Sequence, residues 1–146
     1  MTSPTEPAET VHNSCVAVDG RAVLIGGQSG RGKSDLALRL IDRGARLVSD
    51  DYVIVRRTGG RLLASPPATI AGKMELRGVG IVEFPPASDV PVALLVDLDR
   101  EAERLPEPGE TIEVAGVDIP VVALSALEPS APIKVESALR LFGLDG

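Results

Sequence analysis

The sequence contains very few cysteines and aromatic residues, and it has no excess of positive charge. Cys15 is the only cysteine, so no disulfide can form within the chain, and a cytoplasmic location is expected. Aromatic residues make up 2% of the chain, which predicts an aliphatic core without a platform for stacking bases. The net charge of −6 argues against nucleic-acid binding. No apolar stretch approaches the roughly 20 residues of a membrane span, so no membrane association is expected.

The length and composition indicate one domain. The chain has 146 residues, an ordinary size for a single domain, and 44% of them are hydrophobic. The first ten residues include two prolines and two glutamates, which predicts a disordered tail over residues 1–10. Residues 11–146 are predicted to form the single domain.

Alternating apolar residues predict a series of short strands. An Asp-Gly turn at 19–20 and a Thr-Gly-Gly turn at 58–60 each connect two of them as an antiparallel hairpin. An apolar stripe predicts a helix directly before Gly44, and a second helix near the end of the chain. The sequence therefore predicts an α/β fold with a mixed sheet, antiparallel hairpins and few helices. The predicted strands cover residues 14–19, 21–26, 45–48, 52–57, 61–64, 92–98, 111–114 and 117–122, and the second helix covers 133–142.

An eight-residue segment before the first helix matches the phosphate-binding P-loop pattern. Its glycines allow backbone conformations in which successive N–H groups point inward and form an anion nest. The helix N-terminus that follows also favours phosphate. Lys33 is expected to reach the β- and γ-phosphates of ATP, and the Ser34 hydroxyl is expected to bind Mg²⁺. The predicted nucleotide-binding residues are Gly27, Gln28, Ser29, Gly30, Arg31, Gly32, Lys33 and Ser34.

Two adjacent acids, Asp50 and Asp51, follow the strand predicted after the first helix. Phosphoryl transfer requires a carboxylate to hold metal, and often one to accept the proton of the attacking hydroxyl. We therefore favour a functional pair over a solvated turn. His12 is the only histidine; it is either a surface residue of the tail or a neighbour of Asp50 that supports this carboxylate.

Two segments predicted to be rich in loops contain further charged candidates. In the glycine-rich segment 74–81, Glu75 could complete the metal shell and Arg77 could face phosphate, although a strand with an exposed ion pair is the alternative. In the charged loop 99–110, Arg104 could stabilise charge in a transition state. Arg100 is a rival in the same loop, and either arginine could simply be solvated.

Together these features resemble the catalytic domain of the bifunctional HPr kinase/phosphorylase family. The matching pieces are His12, the P-loop spelled Gly-Gln-Ser-Gly-Arg-Gly-Lys-Ser, the segment 46–51 and the segment 75–81. Typical members carry a separate N-terminal domain, so the sequence resembles the short, catalytic-domain form found in alphaproteobacteria. The resemblance implies a P-loop fold related to phosphoenolpyruvate carboxykinase, and a hexameric assembly.

The same resemblance implies an ATP- and Mg²⁺-dependent kinase that phosphorylates a serine of HPr, the phosphocarrier protein of the sugar phosphotransferase system. The family also removes that phosphate by phosphorolysis, which consumes inorganic phosphate and releases pyrophosphate. Asp50 would be the base for the serine hydroxyl, with His12 supporting it, and Arg104 would belong to the loop associated with phosphorolysis. The implied metal ligands are Ser34, Asp51 and Glu75.

Two other functions fit the P-loop. A small-molecule kinase on the same scaffold would need a closing lid and a substrate pocket, for which the chain leaves little length. A nucleotide-gated sensor without catalysis would predict the loss of a catalytic carboxylate, yet Asp50, Asp51 and Glu75 are all present.

Overall fold

The computed structural model describes residues 8–145, which contain eleven strands, two helices and a short 3₁₀ turn at Ala68–Ile70. The strands are β1 (Ala8–Val11), β2 (Ser14–Val18), β3 (Arg21–Gly26), β4 (Arg46–Ser49), β5 (Val53–Thr58), β6 (Arg61–Ser65), β7 (Lys73–Leu76), β8 (Gly80–Glu83), β9 (Val90–Asp97), β10 (Thr111–Val114) and β11 (Val117–Ala123). The helices are α1 (Lys33–Asp42) and α2 (Ala131–Phe142).

Nine of these strands form one mixed sheet in the order β1-β5-β6-β9-β3-β2-β4, with β11 also pairing to β9 and β10 pairing to β11. β3 runs parallel to β9, and β9 runs parallel to β11. β2 is antiparallel to both β3 and β4, so β3 and β4 point in the same direction. The β7–β8 hairpin forms a separate two-stranded sheet. The mixed sheet with antiparallel hairpins and few helices confirms the predicted fold class.

Two hydrophobic clusters divide the core, because alternate side chains of a strand point to opposite faces of the sheet. In β3, Val23 and Ile25 belong to one cluster, whereas Ala22 and Leu24 belong to the other. The first cluster, here called the helix-side core, joins the sheet to α1 and α2. It includes Val16, Val23, Ile25, Leu36, Leu40, Leu94, Val96, Val135 and Leu139.

The second cluster, here called the strand-side core, is built from residues of the strands alone. It includes Cys15, Ala17, Leu24, Val53, Val55, Leu62, Ala64, Leu95 and Ile119. Cys15 is completely buried in it, and burial raises the pKa of its thiol because the charged thiolate would be poorly solvated there. Within residues 8–145, no helix has the length and apolar composition needed to cross a membrane.

The structure corrects two sequence predictions. Residues 8–10, assigned to a disordered tail, lie in β1, where Ala8 to Val11 pair antiparallel with β5. The other seven residues of the predicted tail lie outside the described part of the chain. The segment 66–86, predicted to be rich in loops, contains the 3₁₀ turn and the β7–β8 hairpin. The prolines and glycines of this segment predicted its turns correctly. The two strands between the turns were missed because each has only four residues.

Removing the buried Leu40 side chain should destabilise the domain. Leu40 lies on α1 in the helix-side core and is fully buried, so Leu40→Ala leaves a cavity between helix and sheet. We expect a loss of about 2–5 kcal/mol in the free energy of unfolding, measured by urea denaturation. Leu141→Ala on α2 is the matched control, because Leu141 is 75% exposed and its loss should cost less than about 0.5 kcal/mol. Equal effects of the two variants would contradict this packing.

Candidate active site

Four parallel strands end at the same edge of the sheet, and the candidate residues follow these ends. β3 leads into the P-loop, β4 leads into Asp50, β9 ends at Asp97, and β11 ends at Ala123. β2 runs in the opposite direction, so the residues that precede it reach this edge as well. In open α/β sheets, ligands bind outside the carboxyl ends of the strands. The topology thus gathers residues from distant parts of the sequence.

The P-loop connects β3 to α1. Gly32 is the residue before the helix and has φ = +94°, a left-handed conformation that side chains disfavour. A Cβ atom at this position would also lie only 3.0 Å from Cβ of Ala126. Lys33 is buried, and its Nζ donates a hydrogen bond of 2.6 Å to the carbonyl oxygen of Gly27. The ammonium group is therefore held across the mouth of the loop.

Asp50 joins the P-loop helix to the sheet. Its Oδ1 accepts a 2.6 Å hydrogen bond from the Ser34 hydroxyl, which belongs to the first turn of α1. The same oxygen accepts a 3.0 Å bond from the hydroxyl of Ser14, a fully buried residue of β2. The Ser14 hydroxyl in turn accepts a bond from the backbone N–H of Asp51 at 3.2 Å. One carboxylate oxygen therefore fixes the distance between the loop and the end of β4.

Asp51 lies beside Asp50 in the chain but belongs to a different group of side chains. His12 Nε2 donates to Asp51 Oδ1 over 2.8 Å, and both side chains are about half exposed. The His12 ring stacks on Tyr52, with 4.7 Å between ring centroids. The predicted contact between His12 and Asp50 is therefore wrong. The backbone of Asp51 has φ = +71°, which turns its carboxylate away from the serines and towards His12.

The carboxylate of Asp99 was not predicted as part of the site. The backbone N–H of Gln28 donates to both of its oxygens, at 3.0 and 3.2 Å, and Arg31 Nε lies 3.4 Å from Oδ1. Asp97, at the end of β9, accepts the N–H groups of Asp99 and Arg100 at 2.9 and 3.3 Å and so shapes this turn. The sequence signal that could have located Asp99 was its position directly after an apolar strand predicted to be buried.

The other charged residues predicted for the site lie apart from the hydrogen bonds of Asp50, Asp51 and the P-loop. Glu75 lies in β7 and Arg77 in the turn that follows it, and their side chains form no hydrogen bond or ion pair with the described residues. Arg100 pairs with both carboxylate oxygens of Glu110, at 2.7 and 2.9 Å, and this bond lowers the pKa of the Glu110 carboxyl. Arg104 is exposed in the same loop. In residues 8–145, no three His, Cys, Asp or Glu side chains form a metal-holding group, so the predicted role of Glu75 remains a prediction.

Comparison with known proteins identifies the family of this chain. The family described as HPr Serine kinase C-terminal domain matches residues 5–131. The chain belongs to this family. It is 38% identical over 126 residues to the HPr kinase/phosphorylase of Chlorobium phaeobacteroides, an alignment that covers 77% of this chain and 37% of that protein. It is 35% identical over 131 residues to the HPr kinase/phosphorylase of Brevibacillus brevis, covering 81% and 42%.

The fold also matches a solved structure of the same kind. The Hpr(Ser) kinase/phosphatase from Coxiella burnetii superimposes with a TM-score of 0.77 and 28% sequence identity. This match covers 90% of the present chain and 94% of the solved chain. The chain spans about two fifths of the length of the curated relatives named above, and it corresponds to their C-terminal domain.

Ser14 should be needed for the geometry of the two aspartates. Ser14→Ala removes a buried hydroxyl that donates to the Asp50 side chain and accepts from the Asp51 backbone. Because an unpaired buried group costs free energy, we expect unfolding to become easier by about 1–3 kcal/mol in urea denaturation. Ser65→Ala is a matched control, since Ser65 makes the same two kinds of bond, both to Asp89, where solvent can replace them. If both variants lost equal stability, the buried bonds of Ser14 would have no special importance.

Proposed function

We propose that this chain is an ATP-dependent protein-serine kinase domain that phosphorylates a serine of an HPr-type phosphocarrier protein. The observation that carries the proposal is the pair Asp50 and Asp51 at the mouth of the P-loop, one bonded to the Ser34 hydroxyl and the other to His12. The two carboxylates therefore have separate surroundings and can perform separate tasks. Family membership and the printed names of the relatives support the choice of HPr as the acceptor.

The phosphates of ATP would lie on the P-loop. The backbone N–H groups of the loop and the buried ammonium of Lys33 supply positive charge for the β- and γ-phosphates. The Ser34 hydroxyl and the Asp50 carboxylate, which are hydrogen-bonded to each other, offer the hard oxygen ligands that Mg²⁺ prefers and would hold it beside the loop. Held there, the ion would supply positive charge against the phosphates. This assigns the metal to Asp50 rather than to Asp51.

Asp51 would then be the base. Its carboxylate is partly exposed, so an incoming serine can reach it. The serine oxygen attacks the γ-phosphorus, the bond from the γ-phosphorus to the β-phosphate oxygen breaks, and the serine proton passes to Asp51 while ADP leaves. His12 donates a hydrogen bond to Asp51 and stacks on Tyr52, so it acts as a positioning residue. This proposal gives the two aspartates roles opposite to those predicted from the sequence, in which Asp50 is the base and Asp51 a metal ligand.

The same groups can also catalyse the phosphorolysis of phosphoserine. An oxygen of inorganic phosphate attacks the phosphorus of phosphoserine, the phosphorus–serine bond breaks, and pyrophosphate forms. The protonated Asp51 carboxyl returns its proton to the serine oxygen. Arg104 remains a candidate for stabilising the transferred group, with Arg100, which lines the same cleft as Gly30 and Arg31, as its rival. Assembly into a hexamer also remains a prediction that rests on the family.

Replacing the proposed base should stop phosphoryl transfer without preventing nucleotide binding. With labelled ATP, Mg²⁺ and purified HPr, Asp51→Asn should lower kcat by about 10²–10⁴, because the serine proton loses its acceptor. The ADP dissociation constant should change little, since Asp51 makes no contact with the P-loop backbone. Lys33→Ala should weaken both transfer and ADP binding.

Two further variants make this test specific. Asp89→Asn is a matched control because Asp89 shares the left-handed backbone of Asp51 but lies elsewhere, so transfer should be unchanged. Asp50→Asn should instead raise the Mg²⁺ concentration needed for half-maximal activity. Absence of label on HPr from the unaltered protein would overturn the kinase proposal. Full turnover by Asp51→Asn, together with inactive Asp50→Asn at every Mg²⁺ concentration, would return the base to Asp50.

A further inference from the structure

Tyr52 lies beside the proposed base and has no task of its own in the transfer step described above. It is the only tyrosine of the chain, it directly follows Asp51, and it is 46% exposed. It belongs to neither of the two core clusters. Its ring is stacked on the His12 ring, with 4.7 Å between the centroids and 15° between the ring planes. The position of this ring therefore relates it to the site rather than to the core.

The antiparallel pairing of β1 with β5 brings Tyr52 and His12 together. The last pair of this ladder is Val11 opposite Val53. One step further along the same register, His12 comes to lie opposite Tyr52. Side chains of directly opposite residues in an antiparallel pair are close enough to interact. The stack thus extends the β1–β5 ladder by one pair, and β1 places the only histidine of the chain at the site.

The backbone of Tyr52 is fixed on both sides. Its N–H donates a hydrogen bond of 2.8 Å to the carbonyl oxygen of Asp50. This bond joins residues two positions apart, and the residue between them, Asp51, has φ = +71°, so the three residues form a γ-turn. The carbonyl oxygen of Tyr52 accepts a hydrogen bond from the hydroxyl of Ser49, a fully buried residue of β4. The tyrosine ring is therefore carried by a segment that is held in place before any substrate binds.

We propose that Tyr52 is a positioning residue for phosphoryl transfer, which holds the His12 ring so that Nε2 donates to Asp51; the proposal rests on the proposed role of Asp51 as base. The hydrogen bond between these two side chains measures 2.8 Å, and each of them is about half exposed. A contact between exposed groups is weak by itself, because water competes for both partners. Stacking on Tyr52 fixes the plane of the imidazole, so the carboxylate keeps its partner and its direction.

The kinetic test uses the full chain with labelled ATP, Mg²⁺ and purified HPr. Tyr52→Ala should lower kcat about fivefold to thirtyfold, because the base loses its orientation, while the KM for ATP stays within about twofold. Tyr52→Phe retains the ring and should recover at least about half of the kcat of the unaltered protein. Ile112→Ala is the matched control, since Ile112 has a similar exposure of 42% but lies on β10, outside the site, so kcat should not change.

Two further measurements show whether Tyr52 acts through His12. In ¹⁵N NMR spectra at alkaline pH, the single histidine should show the tautomer protonated at Nε2 in the unaltered protein and in Tyr52→Phe. In Tyr52→Ala the signals should move towards an average of the two tautomers, a readout that needs no activity. The double variant His12→Asn with Tyr52→Ala should transfer phosphate no more slowly than His12→Asn alone.

The outcomes separate the positioning role from the proposed function. Unchanged kcat or an unchanged His12 tautomer in Tyr52→Ala would overturn the positioning role. Failure of Tyr52→Phe to recover kcat would also overturn it, because the phenol hydroxyl and not the stacked ring would then be needed. A further loss of kcat in the double variant would show that Tyr52 acts on something other than His12. Absence of label on HPr from the unaltered protein would overturn the proposed function, whereas the NMR spectra would still show whether Tyr52 orients the histidine.

Discussion

The Oδ1 atom of Asp50 accepts hydrogen bonds from two hydroxyl groups that belong to different parts of the fold. Ser34 is carried by the helix that follows the P-loop, and Ser14 begins the strand between the P-loop strand and β4. Because all three groups are buried or partly buried, breaking either bond would leave a polar group without a partner. This one oxygen thus sets the position of the P-loop relative to the acids. The contact of Asp51 with His12 depends on that position.

The two neighbouring aspartates lie in different surroundings. The chain leaves β4 just before them, and Asp51 has a left-handed backbone with φ = +71°. Asp50 is turned inward to hydroxyls, and Asp51 is turned outward to a ring and to solvent. Two identical side chains can therefore differ in chemistry without any difference in residue type. The sequence could therefore name the pair but could not show which member contacts the serines and which contacts His12.

Features encoded locally were predictable from the sequence, whereas those that depend on distant pairing were not. The Asp-Gly turn, the apolar stripe of α1 and the P-loop each involve neighbouring residues, and their positions agree with the structure. β1 was missed because three of its four residues are exposed and it pairs with β5, which lies more than 40 residues later in the chain. Asp99 was missed because the run of charged residues that begins with it obscured its one signal, its position directly after an apolar strand. The predicted partner of His12 was wrong by one residue, since the sequence does not reveal the left-handed turn.

The burial of Cys15 has a practical consequence for studying motion in this domain. Its thiol lies in the strand-side core, and its raised pKa keeps the reactive thiolate scarce at neutral pH. Reagents that attack thiols should therefore leave the folded protein unmodified. A cysteine introduced on the β7–β8 hairpin or in the loop between β9 and β10 would be the sole accessible thiol. Spin labels or fluorophores could then follow those two segments in the native molecule without first removing a residue from its core.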